Sequence, residues 1–461
     1  MKKYLNDYPN SEYHTEAKEI LVSLLANTNN FREALELYES FGKPTPSMRK
    51  VYPKILYGRA VEFINDQQLT KADELLDQVL ADANVGSITP YANFWKGEIA
   101  YRNNKYDEAI RYLSLYVQSN APTLGEANPT AAKYNLGYSL LKKENYSKAL
   151  AFFEQITKIV SVTSPAIEQD AYLRTADCYF MLKEYAKANA LYDNVINNAL
   201  AQGDYALFQK GILQGLLGDV DGKTNTMNTL LTQYPKSKFK ADGLFEKGKA
   251  QLSLGNSAEA KKLFNDLLSE FPNSVYAKKA QLNVGLIHFN SNEDDEALTI
   301  FKKVVSNYPG SPEAAEALAT IKSIYISNGT PDKYFDYAKT VSNVSISEGA
   351  QDSITFEAAE QQYLSQKFDD AKISFKKYLD QFENGIFKLN ATFYIAECDY
   401  RSNKFEDALI GYEAIVAQPK NIFSEKSLLK AGNINYKNKA YDRAIPHYSK
   451  LEQTADLRDN I

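Results

Sequence analysis

Apolar residues in this chain recur at helical spacing in short paired runs, each pair closed by a tight polar turn. The segment 94–116, FWKGEIAYRNNKYDEAIRYLSLY, shows the pair most plainly. Gly97 sits on its first helix, where a missing side chain lets another helix approach closely, and Ala109 answers it from the second helix twelve residues later. Tyr106 opens the second helix, and Leu113, four residues past Ala109, continues its apolar stripe. Aligned on these slots, the chain reads as one helical hairpin repeated from end to end.

The alanine slot is filled by Ala34, Ala72, Ala109, Ala149, Ala188, Lys223, Ala260, Ala297, Tyr334, Ala371, Ala408 and Ala444. Successive slots lie 35 to 40 residues apart, but the step back to the close-contact slot is always twelve. That slot holds Val22, Ala60, Gly97, Gly137, Ala176, Gly211, Gly248, Gly285, Lys322, Ala359, Ala396 and Gly432. Length variation therefore lives between hairpins, as it does when each hairpin is the rigid piece. The pattern predicts an all-α solenoid of about twelve helix-turn-helix repeats, a single domain over residues 1–461. Irregular junctions are expected near 41–53, 119–130 and 160–165. A degenerate, loosely packed repeat is expected near 316–350, where Lys322 and Tyr334 replace both small residues and Pro331 falls near the start of the second helix.

The residues carrying this pattern resemble the tetratricopeptide repeat (TPR), whose two-helix unit wants an apolar ring, a small residue, then Ala and a large apolar residue at these offsets. KYNLGYSLLKKENYSKALAFF from Lys133 and LFEKGKAQLSLGNSAEAKKLF from Leu244 match it best, and the resemblance covers essentially the whole chain. It implies a right-handed superhelix. The turns Tyr8-Pro9-Asn10-Ser11, Tyr234-Pro235-Lys236-Ser237, Phe271-Pro272-Asn273-Ser274 and Tyr308-Pro309-Gly310-Ser311 all read ring, Pro, x, Ser. In each, Pro stops the outgoing helix and Ser is expected to N-cap the next. With a period near 37, these turns are similar to the bacterial envelope subgroup of TPR proteins, which includes the outer-membrane assembly lipoprotein and the tol-pal coordinator protein. That likeness implies a periplasmic or outer-membrane-associated setting in a Gram-negative bacterium, with the cytoplasm as the alternative.

Charge narrows the partners. The 53 basic and 58 acidic residues leave a net charge of -5, which offers no basic field for nucleic acid. No apolar run approaches the roughly 18 residues of a membrane span, and Met1-Lys2-Lys3 leads into polar residues rather than a signal-peptide core. KKYLNDYPNS at the start reads as the tail of a second helix, and the chain stops at LEQTADLRDNI without a distinct polar capping helix. It therefore reads as a piece of a longer protein. Uncapped apolar faces at both ends predict some end-to-end self-association.

Catalytic chemistry finds no foothold in the sequence. His14, His288 and His447 fall too far apart in a solenoid to share a site, and Cys178 and Cys398 occupy the same slot six repeats apart. The cysteines read as small buried core residues, and neither a disulfide nor a shared metal is expected. GILQGLLGDVDGKT, 211–224, ends like a phosphate loop but has Leu217 where the motif needs glycine, and it keeps helical register. No enzyme activity, cofactor or metal is expected.

Binding remains. In the TPR family the first helix of each repeat lines the concave side, and the positions one, four and five past the close-contact slot are the usual ligand positions. Here they place Tyr363, Tyr400 and Tyr436 at one offset in consecutive repeats, flanked by Glu360, Glu397, Arg401 and Lys437. Glu98, Tyr101 and Arg102 repeat the set in the third hairpin, and Tyr138 belongs to it in the fourth. An aromatic stripe with interleaved charges suits an extended peptide or a partner helix. The same residues also suit plain packing between hairpins and i,i+4 ion pairs. The expected role is a non-catalytic protein-interaction scaffold of unidentified partner; a docking region of a larger enzyme and an architectural spacer stay open.

Overall fold

A computed structural model describes residues 1–454, and they form two compact units, Met1–Glu246 and 247–454. The end of the LEQTADLRDNI segment, and with it the expectation of an uncapped terminus, lies outside the described residues. In the first unit, α1 (Lys2–Asp7) precedes the hairpins α2 (His14–Asn27) with α3 (Phe31–Glu39), α4 (Pro46–Asn65) with α5 (Leu69–Ala81), and α6 (Thr89–Arg102) with α7 (Tyr106–Ser119). It continues with α8 (Pro129–Lys142) and α9 (Tyr146–Phe153), α10 (Ala166–Met181) and α11 (Tyr185–Asn197), and α12 (Gly203–Leu216) and α13 (Val220–Gln233). The boundary between units falls in α14 (Lys240–Ser253).

The second unit holds α15 (Ser257–Glu270), then the hairpins α16 (Ala277–Asn290) with α17 (Asp294–Asn307) and α18 (Pro312–Ser327) with α19 (Pro331–Lys339). It ends with α20 (Glu348–Leu364) and α21 (Phe368–Gln381), α22 (Lys388–Arg401) and α23 (Phe405–Val416), and α24 (Ser424–Lys437) and α25 (Tyr441–Thr454). Every one of the twelve aligned repeats is thus a helical hairpin, and α1 is the expected tail of a second helix. Apart from the short 3-10 turn Gly86–Ile88 and an isolated bridge between Leu124 and Ala127, the regular structure of the described residues is α-helical. No helix among them is long and apolar enough to cross a membrane.

The two slots work as a lock. All twelve alanine-slot residues are buried, Lys223 and Tyr334 included. The close-contact slot faces the large residue four past that alanine: a Cβ built on Gly97 would lie 2.6 Å from Leu113 Cγ, and one on Gly285 2.6 Å from Phe301 Cε1. Gly137, Gly248 and Gly432 meet Phe153, Phe264 and Tyr448 in the same way. At these five positions the opposing side chain fills the space a Cβ would use, while other repeats pack Ala359 opposite Phe375 and Ala396 opposite Tyr412 in the same slot.

A third constant was not apparent in the spacing. Seven residues past each close-contact slot, the hairpin turn carries a left-handed residue in all twelve repeats, from Asn29 (φ 60) and Asn104 (φ 58) to Gly329 (φ 66) and Lys439 (φ 60). Its identity varies: three are glycine and four asparagine, the types that favour this conformation, and five are Gln, Glu or Lys, which do not signal it. Lys183 (φ 63) is exposed at this position, and Lys183→Gly is expected to stabilise the first unit by about 1 kcal/mol in chemical denaturation, because a Cβ is strained in the left-handed region. Lys183→Val should shift the midpoint the other way.

Two local expectations need correction. Of 41–53, only the part before Pro46 is a junction: Thr45 caps α4 by accepting from the Met48 N–H at 3.3 Å, Pro46 takes the first turn, and Pro53 lies buried inside the helix. Only Ser311 of the four turn serines is an N-cap, accepting from Ala314 N–H at 3.1 Å. Ser11, Ser237 and Ser274 instead accept from the residue two ahead, at 3.2, 3.0 and 3.2 Å, because their helices start three residues later. In the degenerate repeat Lys322 is only half-buried, and α19 stops after 9 residues where α15, α17 and α21 run 14. Its neighbour Ile321 takes up the buried position instead.

Trp95, the only tryptophan, is 3% exposed in α6, and its indole N–H donates to the Tyr57 hydroxyl on α4 at 3.2 Å.

Candidate functional site

The aromatic stripe falls on first helices, and its geometry begins inside each hairpin. Tyr101, Tyr363, Tyr400 and Tyr436 each meet the ring that opens the next helix five residues on, with centroids 6.4 Å from Tyr106, 5.5 Å from Phe368, 5.5 Å from Phe405 and 5.6 Å from Tyr441. Those contacts close the hairpin turn. What differs among the four is how much surface remains.

In the second unit, α20 and α22 are adjacent. Tyr363 packs 4.9 Å from Tyr394, and its hydroxyl donates to Glu397 Oε2 at 3.4 Å. Burial, then the Glu397 charge, raises its pKa. Glu360 accepts from the Tyr394 hydroxyl at 2.9 Å. Glu397 itself is 1% exposed; it accepts from the Tyr412 hydroxyl at 2.6 Å and faces the Lys426 ammonium at 3.5 Å. It serves as a buried, satisfied junction between hairpins rather than a free ligand. Tyr400 lies under the Lys430 ammonium, 3.5 Å from its ring centroid. Arg401, Tyr436 and Lys437 are exposed. Tyr400, Asn433 and Lys437 share a narrow crevice between α22 and α24.

In the first unit, Glu98 pairs with Arg102 at 2.8 Å and accepts from Asn135 of the next repeat. The Tyr101 ring lies 6.4 Å from Tyr138. Tyr138 leads to a cluster that sequence reasoning missed. Its hydroxyl and that of Tyr134 both donate to Asp170 Oδ2 at 2.7 Å. Arg174 bridges Asp170, at 3.2 Å, and Asp177, while Tyr192 and Tyr205 donate to Asp177 at 2.7 and 3.0 Å. The Arg174 side chain is 12% exposed. Burial works to raise Asp170, but Arg174 and the tyrosine hydroxyls outweigh it and hold that carboxyl below its usual value. At Asp177 burial wins over the same arginine, and the pKa is raised. The available signal was Asp170, Arg174 and Asp177 at i, i+4 and i+7 on one helix, with Asp177 one past its close-contact slot as Glu98 and Glu397 are.

The remaining candidates for chemistry sit in structural roles. Cys178 and Cys398 are free and buried, and burial pushes both thiols up to about 12. His288 Nδ1 lies 2.5 Å from Glu293 across its own hairpin turn. The 211–224 segment is the hairpin of α12 and α13, and Asp219 caps α13 through the Gly222 N–H at 2.9 Å. No cluster of metal-ligating side chains occurs among the described residues.

Comparison with known proteins agrees with the hairpin frame. Residues 57–124, 130–159, 170–199 and 205–237 match models of the tetratricopeptide repeat, and residues 240–328 match the outer membrane lipoprotein family YfiO. No curated protein matches the chain. Among solved structures, a tetratricopeptide repeat protein from Parabacteroides merdae is 17% identical, with a TM-score of 0.40 over 59% of this chain and 98% of that one. The C-terminal part of a TPR repeat-containing protein from Cytophaga hutchinsonii is 15% identical, with a TM-score of 0.41 over 57% and 98%. PilW, a widely conserved type IV pilus biogenesis factor, is 18% identical, with a TM-score of 0.37 over 48% and 95%. Residues 57–124, 130–159, 170–199 and 205–237 of this chain are thus tetratricopeptide repeats, and the structure forms them as helical hairpins.

Proposed function

We propose that the chain is a protein-interaction scaffold that receives a peptide segment or partner helix on the first-helix surface of α20, α22 and α24, and that it does so in the assembly or organisation of a bacterial cell envelope. The observation that carries this reading is the surface of α22 and α24, where a ring held under an ammonium, Tyr400 with Lys430, accompanies exposed Arg401, Tyr436 and Lys437. Rigid rings beside cations suit the carboxylates and aromatic side chains of an incoming segment. The envelope setting is supported by the likeness of residues 240–328 to an outer membrane lipoprotein family. The reading is non-catalytic.

The test is affinity capture from a Gram-negative envelope extract with the full chain and with an Arg401→Ala, Tyr436→Ala, Lys437→Ala variant. These side chains are exposed, so helical circular dichroism should not change. The expected result is a discrete outer-membrane-fraction partner whose capture falls at least about tenfold in the variant. Equal capture by both proteins would move the site elsewhere, and no capture by either would favour a spacer.

A further inference from the structure

α19 ends early, as α3 and α9 do, whereas the second helices of the hairpins before and after it, α17 and α21, run on. The 9 residues of α19 are five fewer than those of α15, α17 or α21, a deficit of about 7.5 Å of helix. A cleft of about 790 Å³ opens there, between the C-terminal half of α17, the N-terminal half of α18, the end of α19 and the irregular segment that follows it. Val305, Leu318, Tyr337, Val341 and Val344 give it an apolar lining. It is distinct from the first-helix surface of α20, α22 and α24, sharing no residue with it.

We infer that this cleft is a second docking site, and that its occupant is a short acidic amphipathic helix of a partner protein, lying where the last turn and a half of α19 would have been. Shape and charge both point to that occupant. Two of the walls are the helices α17 and α18, so the favoured mode is a helix presenting apolar residues at i, i+3 or i+4, and i+7. Lys302 and Lys303 line the cleft, and no carboxylate does among the described residues. Neither lysine makes an ion pair among the described residues; Lys302 is steadied by donating to the Tyr325 hydroxyl at 2.9 Å and by lying 5.1 Å over the Tyr337 ring, and Lys303 is exposed. One positioned and one free ammonium at the rim of an apolar trough select a helix with carboxylates flanking its apolar stripe. The smaller cleft of about 430 Å³ beside α9 lacks this selectivity, since Glu154 lines it together with Lys158 and Lys187.

The experiment is a selection from a displayed library of random 14-residue peptides against the full chain, counter-selected on an Ala315→Glu variant. Ala315 is an exposed residue of the cleft wall, so a carboxylate there repels an acidic occupant without disturbing the core. Enriched peptides should be net acidic with helical apolar periodicity. Synthetic copies should bind Ala315→Glu and Lys303→Glu proteins at least about tenfold more weakly than the native chain. Their affinity for the Arg401, Tyr436, Lys437 variant should not change, which separates this site from the first-helix surface. Failure to enrich anything over the counter-selection, enrichment of basic or non-periodic peptides, or equal binding to the native and Ala315→Glu proteins would each overturn the inference.

Discussion

Phe301→Ala should lower the stability of the second unit by about 3–5 kcal/mol, the cost of emptying a fully buried aromatic position that its surroundings fill only in part. Phe301 is 0% exposed and occupies the space that the missing side chain of Gly285 leaves open. Gly285→Ala tests the same lock from the other side. Alanine gains about 1 kcal/mol of helix propensity, but its Cβ would stand 2.6 Å from the ring, and overpacking costs about 1–3 kcal/mol. Combining Gly285→Ala with Phe301→Leu should therefore cost less than the sum of the two single changes. The second repeat already uses that smaller pair, Ala60 with Leu76, both 0% exposed. Urea denaturation of the four proteins closes the cycle; strict additivity would mean the two residues do not share one space.

The second large effect lies in the first unit. Arg174→Met removes the one cation from between two partly buried aspartates and should destabilise by about 2–4 kcal/mol at neutral pH. The penalty should shrink on acidification. Without the guanidinium, both Asp170 and Asp177 lose the charge that lowers them, and Asp177, already raised by burial, moves further above its value in the unfolded chain. The folded state then binds protons more tightly, and its relative stability rises as the pH falls through that window. Asp177, already raised by burial, should account for the earlier part of the recovery. Replacing all three charges, with Asn at both aspartates and Met at Arg174, should restore much of the loss because the tyrosine hydroxyls keep partners. Denaturation midpoints of the single and triple variants between pH 7 and about pH 4.5 decide this; a deficit independent of pH would refute the charge account.

The hairpin frame was legible in the sequence because it is written in volume. A glycine opposite Phe153 or Phe301 and an alanine at the crossing recur at a fixed step of twelve, and that recurrence is readable without a structure. The turn seven residues later was not legible, because Lys183, Glu144 and Gln366 adopt a left-handed conformation that their side chains do not advertise. For the candidate surface, position was readable and exposure was not. Tyr363 and Tyr436 share an offset, yet Tyr363 is tied to Glu397 of the next hairpin, whereas Tyr436, in the last described hairpin, is 59% exposed. The Asp170–Arg174–Asp177 cluster escaped notice for a related reason. Its tyrosines come from α8, α11 and α12, and only folding brings them together.

Trp95 gives the molecule a built-in probe. As the only indole, buried and donating to Tyr57, it confines intrinsic tryptophan emission to the interior shared by α4 and α6. Circular dichroism at 222 nm averages over all the helices, whereas a red shift in emission reports water reaching this one place. Superimposable melting curves from the two signals would mark a single cooperative transition. Separated curves would give the first unit a melting temperature of its own, without a label or an added chromophore.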